Sequence, residues 1–294
     1  MENLSEKHKG FIALVVLAFV FATMGIYARY LQTDFALFQQ IYLRVFGAVL
    51  LGTIIFWRSL RFKRFLSISK RDWTIIFLRG LTFGIGVVFF TLAFITTKYS
   101  NATFVAAIPL LPILGYFLLG EKISKKKLIY ITIGFIGLLI IAVHDFTNIF
   151  NWGRGELYAV LSAVAFDISY VIRKWQSDHL NDKENVILVF LVEAFLLFLT
   201  SFFVGESLPS FAAFSIPTIA VLIIASLANV ANLFLVNYGF GRVEAHIAGN
   251  VLALEMAFAL VFGILIYQEI PILRELLGGA LIVYSVYRMN KLVT

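Results

Sequence analysis

The feature that most constrains this chain is a series of ten apolar segments separated by short polar stretches. Each segment is about as long as a membrane-crossing helix, which needs roughly 20 predominantly apolar residues. Transmembrane β-strands are much shorter, and irregular backbone cannot face lipid. The sequence therefore predicts an all-α integral membrane protein with ten transmembrane helices. The segments cover residues 10–30, 38–57, 72–97, 100–120, 126–144, 154–175, 184–204, 216–240, 244–267 and 271–289.

Composition excludes most other classes of protein. The 294 residues are 61% hydrophobic and 14% charged, whereas a soluble domain is roughly 45–50% apolar and about 25% charged. The net charge of +7 does not indicate a nucleic-acid partner, because the basic residues lie in short loops between apolar segments. The absence of cysteine excludes disulfides, thiolate metal sites and thiol nucleophiles. The first segment follows Lys7 and Lys9, and its length predicts a retained helix and not a cleaved signal peptide.

Lysine and arginine predict how the chain crosses the membrane. If the segments alternate, 18 of these residues fall on the side of the N-terminus and 4 fall on the other side. Cytoplasmic loops carry the excess of positive charge. We therefore expect a multi-pass protein of the plasma (inner) membrane with both termini in the cytoplasm.

The two halves of the chain resemble each other. Five segments are an odd number, so the second half enters the membrane from the opposite side, as in many secondary transporters. This pattern predicts two inverted five-helix repeats, 1–146 and 147–294. Several polar landmarks coincide after a shift of 144 residues, and the last pair coincides after four more: Arg29 and Arg173, Gln32 and Gln176, Lys98 and Arg242, Thr23 and Asp167, Glu121 and Glu269.

The motifs resemble those of EamA-type transporters of the drug/metabolite transporter superfamily. They are YLRVFGAVL in segment 2, LAFITTKYSNATFVAAIPLLPILGYFLLGEKIS across segments 3 and 4, and LEMAFALVFGILIYQE in segment 9. Met256 replaces a proline common in the family, and Gln268 replaces a glycine. The resemblance implies a central cavity lined largely by segments 1, 3, 4, 6, 8 and 9. It also implies movement of small metabolites such as amino acids, and we expect export.

Two acidic residues are the leading candidates for binding a cationic group or carrying a proton. Glu255 lies about 11 residues into segment 9, near mid-membrane, where a carboxylate is costly unless it faces a cavity or a partner. Asp167 lies in segment 6 with Tyr170 one turn on, and its repeat partner Thr23 has Tyr27 one turn on. The alternatives are a protonated or helix-bonded Glu255, and an Asp167 that pairs with Arg173 or a neighbouring helix.

Amide and imidazole groups form a second set of candidates. Ser226, Asn229 and Asn232 share one side of segment 8, with Asn237 near its inner end. Amides can both donate and accept hydrogen bonds, which suits the amino or carboxylate group of a solute. His246 and Asn250 form an i, i+4 pair in segment 9, where His246 is a candidate for proton coupling. The alternatives are bonds between helices for the amides and an interfacial position for the histidine.

Other intramembrane residues receive mainly structural interpretations. Pro109 and Pro112 predict a kink in segment 4 whose freed carbonyls could contact solute, or a kink that improves packing. Arg44 and Arg79 are expected to extend their side chains to the interface. For Glu193 we expect a structural bond.

The function predicted from the sequence is a secondary transporter, not an enzyme, that moves an amino-acid-like or amine solute by alternating access. No Walker A motif, HExxH or GxSxG occurs, and no cofactor is expected. The alternatives are a membrane-embedded enzyme acting on lipid-linked groups, or a channel. The expected partners are a small-molecule solute and the lipid bilayer, with no nucleic acid. Monomer and homodimer both remain open.

Overall fold

The computed structural model describes residues 5–97, 110–142, 153–268 and 272–292, and within these ranges the chain forms helices and no strand. Every predicted apolar segment contains a helix, and wherever both ends of a segment lie among the described residues they fall within a few residues of those expected; in the fourth segment the described helix begins at Leu110, since residues 98–109 lie outside the described part. The helices within the apolar segments are α1 (Glu6–Leu31), α2 (Leu37–Phe56), α3 (Lys70–Thr96), α4 (Leu110–Leu119), α5 (Lys125–Ala142), α6 (Arg154–Lys174), α7 (Asp182–Phe203), α8 (Ile216–Arg242), α9a (Ala245–Leu252), α9b (Leu254–Tyr267) and α10 (Leu273–Asn290).

The helices are suited to a lipid environment. Among the described residues, α1, α2 with the turn that follows it, α3, α7 and α8 are long and apolar enough to cross a membrane. Large apolar side chains such as Ile54, Phe117 and Leu265 are exposed on the outside of the bundle. In water such a surface would aggregate, whereas lipid covers it at no cost. The prediction of an all-α integral membrane protein is confirmed.

The helices pack as two inverted repeats. α1 packs against α8, and its counterpart α6 packs against α3. In the same way α2 contacts α8 while α7 contacts α3, and α1 contacts α9 while α6 contacts α4. The pairs α2–α7 and α5–α10 join equivalent helices of the two halves. Each half thus completes the packing of the other, as in transporters built from inverted repeats.

Basic side chains near the ends of α1 and α6 fasten neighbouring helices. Arg29 donates from Nε to the carbonyl of Phe94 at 3.0 Å and from Nη2 to that of Thr97 at 3.2 Å, at the end of α3. Lys174 donates to the carbonyl of Val243, just after α8. Cations are favoured at the carboxyl ends of helices, where carbonyls lack partners. The end of the bundle at which α1, α3, α5, α7 and α9a begin carries most of the lysine and arginine, and we call it the basic end.

Helices α4 and α9b end in the same backbone conformation. Gly120 follows α4 with φ of 64°, and Gln268 follows α9b with φ of 54°. The two positions correspond in the repeat, and Gln268 stands where the resemblance places a glycine. A left-handed residue other than glycine costs roughly 1–2 kcal/mol. The repeated helix end is therefore retained in the second half despite the unfavourable side chain.

The ninth helix is interrupted, although its sequence predicts a continuous segment over residues 244–267. α9a ends at Leu252, Ala253 forms a turn, and α9b begins at Leu254. The N–H of Met256 bonds the carbonyl of Ala253 at 3.2 Å, a tightened three-residue spacing. No proline causes this break. It places Glu255 in the first turn of α9b, where an acidic group is favoured by the helix dipole.

Candidate functional site

The centre of the bundle is bordered by helices of both repeats. α1 packs against α3, α8 and both parts of α9, while α6 packs against α3, α4 and α8. These are the helices that the resemblance assigns to a central cavity. The peripheral pairs α2–α7 and α5–α10 lie outside them.

Glu255 is surrounded by protein and yet partly accessible. Its side chain lies deep in the structure but retains intermediate exposure. Within the described part of the chain, its carboxyl group makes no hydrogen bond and no ion pair. The alternative of a bond to a neighbouring helix is therefore not what the structure contains. An unpaired acidic group at this depth is costly and marks a position for a ligand or a proton.

Asp167 has the same character on α6. It too is deep but partly accessible, and no described residue forms a hydrogen bond or ion pair with it. The alternative pairing with Arg173 is wrong, because Nη2 of Arg173 bonds Oδ1 of Asp182 at 2.8 Å instead. Asp167 is thus a second unpaired carboxyl group facing the interior.

Tyr170 connects the two acidic positions. It is buried on α6 and lies within electrostatic reach of both Asp167 and Glu255. Its ring packs against Phe240 of α8, with centroids 4.9 Å apart. Tyr27 of α1 is partly exposed and packs against the hydrophobic core. The structure therefore brings Asp167, Tyr170 and Glu255 into one region.

The asparagines of α8 separate into two kinds. Asn237 is hydrogen-bonded on both sides, since it accepts from Nη2 of Arg79 at 2.7 Å and donates to the carbonyl of Asp182 at 3.1 Å. Asn229 and Asn232 are buried, and neither has a side-chain hydrogen bond to a described residue. Oδ1 of Asn232 is fully enclosed and unpaired. Asn229 and Asn232 are therefore the amides that remain available for a ligand.

His246 belongs to a polar cluster at the basic end and not to the unpaired group. It is fully buried, so its side chain contacts other parts of the protein and not lipid or water. Its Nδ1 lies 2.7 Å from Oε2 of Glu121, and its Nε2 lies 3.3 Å from Oε2 of Glu244. Glu244 also accepts from Lys127. This cluster fastens the end of α4 and the start of α5 to the start of α9a.

Glu121 caps α9a. Its carboxylate accepts from the backbone N–H of Ala245 at 2.7 Å and from that of His246 at 3.2 Å. Burial raises the pKa of the Glu121 carboxyl, but the hydrogen bonds from the His246 ring and the two backbone groups outweigh burial and hold the pKa below its ordinary value of 4.5. The glutamate after Gly120 thus has a structural role that its position in the motif alone did not reveal.

Asn250 and the prolines complete the predicted set. Oδ1 of Asn250 accepts from Ser285 of α10 at 2.8 Å, so this amide joins two helices, while its Nδ2 is buried and unpaired. Pro112 is buried in α4 beside Gly249 of α9a. Pro109 lies outside the described residues.

Two buried arginines contradict the expectation that their side chains extend to the interface. Arg79 is fully buried, and its Nη1 donates to Gln176 at 2.9 Å in addition to the bond with Asn237. Arg44 is buried between the carbonyl of Gln40 and the hydroxyl of Thr91. A side chain that extends to the interface has to face lipid, whereas both arginines face other helices. Two sequence signals lie in the network around Arg79, namely the coincidence of Gln32 with Gln176 in the repeat and the position of Asn237 near the inner end of segment 8.

Glu193 does not form the structural bond that we expected from the sequence, as far as the described residues show. It is fully buried on α7, and neither carboxyl oxygen has a hydrogen-bond partner among the described residues. Arg44 lies within electrostatic reach. Glu193 lines a separate, mainly apolar cavity of about 220 Å³ between α3 and α7. Among the described residues, no three His, Cys, Asp or Glu side chains form a group that could hold a metal ion.

Comparison with known proteins agrees with this architecture. The model of the EamA-like transporter family matches residues 8–143 and, a second time, residues 153–290. The S-adenosylmethionine uptake transporter of Rickettsia bellii (strain RML369-C) is 26% identical over 264 residues, which cover 87% of this chain and 84% of that protein. The uncharacterized transporter YoaV of Bacillus subtilis (strain 168) is 25% identical over 251 residues, covering 83% of this chain and 84% of YoaV. A solved crystal structure shares the fold with a TM-score of 0.75 at 15% identity, covering 99% of both chains.

Proposed function

Because the chain belongs to the EamA-like transporter family, we propose that it is a secondary transporter for a small amino-acid-like or amine solute that carries a positive charge. The observation that carries this solute class is that Asp167 and Glu255 have partly accessible carboxyl groups with no partner in the part of the chain that the structure describes. A cationic solute offsets the cost of two acidic groups inside the membrane.

The remaining contacts fit an amino-acid-like solute. Asn229 and Asn232 of α8 can donate to a carboxylate or accept from an amine, and they have no competing side-chain partner among the described residues. The hydroxyl group of Tyr170 lies within electrostatic reach of both acidic groups. S-adenosylmethionine, the solute named for the Rickettsia relatives, combines an amino acid group with a positively charged sulfonium. We therefore include it among the first solutes to test.

The inverted repeats support alternating access, because two related arrangements of the same bundle can open opposite ends. The cluster of Glu121, His246, Glu244 and Lys127 fastens α4 and α5 to α9a at the basic end. We propose that this cluster separates when the basic end opens. Protonation of Glu255, Asp167 or His246 is then the route by which a proton gradient drives the cycle.

We propose a plasma-membrane location with the basic end and both termini in the cytoplasm, since this end carries most of the lysine and arginine. The repeats retain the boundaries 1–146 and 147–294. For direction we propose export, and the names of the relatives make uptake the competing direction. An alternating-access carrier exchanges solute in either direction. A counterflow assay therefore detects transport whether the physiological direction is export or uptake.

The test is counterflow in proteoliposomes with labelled cationic amino acids, amines and S-adenosylmethionine, with and without a pH gradient. We expect uptake that saturates and that falls at least tenfold in Glu255→Gln and Asp167→Asn. Glu193→Gln is the matched control, because it removes an equally deep carboxyl group outside the proposed site. Unchanged uptake across pH in Glu255→Gln removes this residue from the mechanism. A solute-independent ion current indicates a channel, and chemical conversion of the solute indicates an enzyme.

A further inference from the structure

A second cavity opens at the basic end, between the end of α2 and the start of α7. Its volume is about 550 Å³, and it is lined by four basic side chains, those of Arg58, Arg61, Arg64 and Lys183. Phe234 and Tyr238 of α8 form an aromatic wall. The residues of the proposed transport site do not contribute to it.

The positive charge in this cavity is largely uncompensated. Its acidic residue, Asp182, is already bonded to Arg173 at 2.8 Å and to Arg242 at 3.3 Å. Arg64 has a long contact of 3.5 Å with Glu184. The guanidinium groups of Arg58 and Arg61 have no hydrogen bond or ion pair with any residue that the structure describes.

The backbone of this region is fixed independently of the free guanidinium groups. The backbone N–H of Arg61 donates to Oε1 of Glu184 at 2.9 Å. Lys183 donates to the hydroxyl of Ser59 at 2.9 Å, a neutral partner that leaves its charge unbalanced. Three cationic side chains therefore border one preformed cavity without a counter-ion from the described chain. Such an arrangement favours an anion with several oxygen acceptors, such as a phosphate group.

The surroundings of the cavity favour a lipid over a soluble anion. It lies where α2 ends, at the depth at which a spanning helix leaves the hydrocarbon. Trp57 is 61% exposed and Leu66 is 92% exposed in the adjoining stretch, and tryptophan is enriched at the interface between membrane and water. An anionic lipid can place its phosphate among the basic groups while its acyl chains follow the apolar surface of α2 and α8.

We propose that this cavity binds the headgroup of an anionic membrane phospholipid, with Arg58, Arg61 and Lys183 contacting its phosphate. α2 belongs to the first repeat, whereas α7 and α8 belong to the second. The bound lipid bridges the two repeats on one side of the basic end. Basic pockets between transmembrane helices are suited to headgroups of this kind.

The experiment measures lipid binding to the full-length protein in detergent, from the shift in its unfolding midpoint on titration with phosphatidylglycerol. Phosphatidylcholine tests the need for net negative charge, and soluble glycerol phosphate tests the need for acyl chains. The double variant Arg58→Gln/Arg61→Gln removes two charges from the cavity. Lys125→Gln/Lys126→Gln is the matched control, since both lysines are exposed at the same end outside the cavity.

We expect the cavity variant to bind phosphatidylglycerol about 25-fold more weakly, at roughly fivefold per basic residue. The control should change by about twofold or less, and the conservative variant Arg58→Lys/Arg61→Lys should retain most of the binding. Equal weakening in the cavity variant and the control overturns the proposal in favour of diffuse attraction. Equal affinity for glycerol phosphate and phosphatidylglycerol overturns it in favour of a soluble anion site.

Discussion

The buried network around Arg79 makes a sharp prediction about stability. Asn237→Leu replaces an amide by an apolar group of similar size and removes two hydrogen bonds, the one that it accepts from Arg79 at 2.7 Å and the one that it donates to Asp182 at 3.1 Å. A hydrogen bond to a charged group contributes about 1.5–3 kcal/mol, and a neutral bond between membrane helices about 0.6 kcal/mol. We expect the free energy of unfolding to fall by roughly 2–3.5 kcal/mol.

Asn232 provides the matched control. It lies on the same helix and is also buried, but no described residue forms a hydrogen bond with its Oδ1. Asn232→Leu therefore removes an unsatisfied polar atom. We expect the free energy of unfolding to stay the same or to rise by up to about 1 kcal/mol. The same variant should weaken solute transport, because Asn232 belongs to the proposed site. Of these two asparagines, five positions apart, Asn237 is thus expected to matter for stability and Asn232 for transport.

The assay is equilibrium unfolding in mixed micelles, followed by circular dichroism as the fraction of denaturing detergent rises. A double-mutant cycle with Arg79→Met separates the charged bond from other effects, and we expect a coupling energy of about 1.5–3 kcal/mol between Arg79 and Asn237. A coupling below about 0.5 kcal/mol, or equal destabilisation by Asn237→Leu and Asn232→Leu, would refute the reasoning.

Three further predictions concern the ends and contacts of helices. Gln268→Gly should raise the free energy of unfolding by roughly 0.5–1 kcal/mol, because Gln268 has φ of 54°; a lower unfolding midpoint contradicts this. The pKa of Glu121 is held below 4.5, so the stability that its carboxylate contributes is complete above pH 4.5 and is lost as pH falls through the lowered pKa. Glu121→Gln should therefore flatten the fall in melting temperature below pH 4.5. A variant whose melting temperature falls with pH as in the wild type excludes this role. Gly137→Ala should destabilise by about 1–3 kcal/mol, because its new Cβ would lie 2.6 Å from a backbone carbonyl of α10, whereas Gly241→Ala, with 3.4 Å of clearance, should change the melting temperature little.

The candidate site was predictable in part because acidic groups deep in apolar segments are rare. Glu255 and Asp167 stand out in the sequence for that reason alone, and Tyr170 follows from its spacing to Asp167. Whether such a group has a partner is decided by helices far away along the chain. Asp167 was open to pairing with Arg173, but the partner of Arg173 is Asp182.

The same limit explains the residues that were misjudged. The expectation that Arg79 reaches the interface, and the alternative of an interfacial position for His246, both rest on the distance to a helix end, which the sequence supplies. Their burial depends on which side of the helix faces α6, α8 or α4, and a helical pattern that is apolar on all sides does not reveal that direction.

The number, length and order of the helices are determined locally, because hydrocarbon accepts only long apolar stretches with satisfied backbone groups. The inversion follows from this count, since five crossings reverse the direction of the second half. Tertiary structure alone decided which polar groups are satisfied. It paired Arg79 with Asn237 and His246 with Glu121, and it left Asp167 and Glu255 in one region without a partner among the described residues, because hydrogen-bond partners meet only after the two repeats interlock.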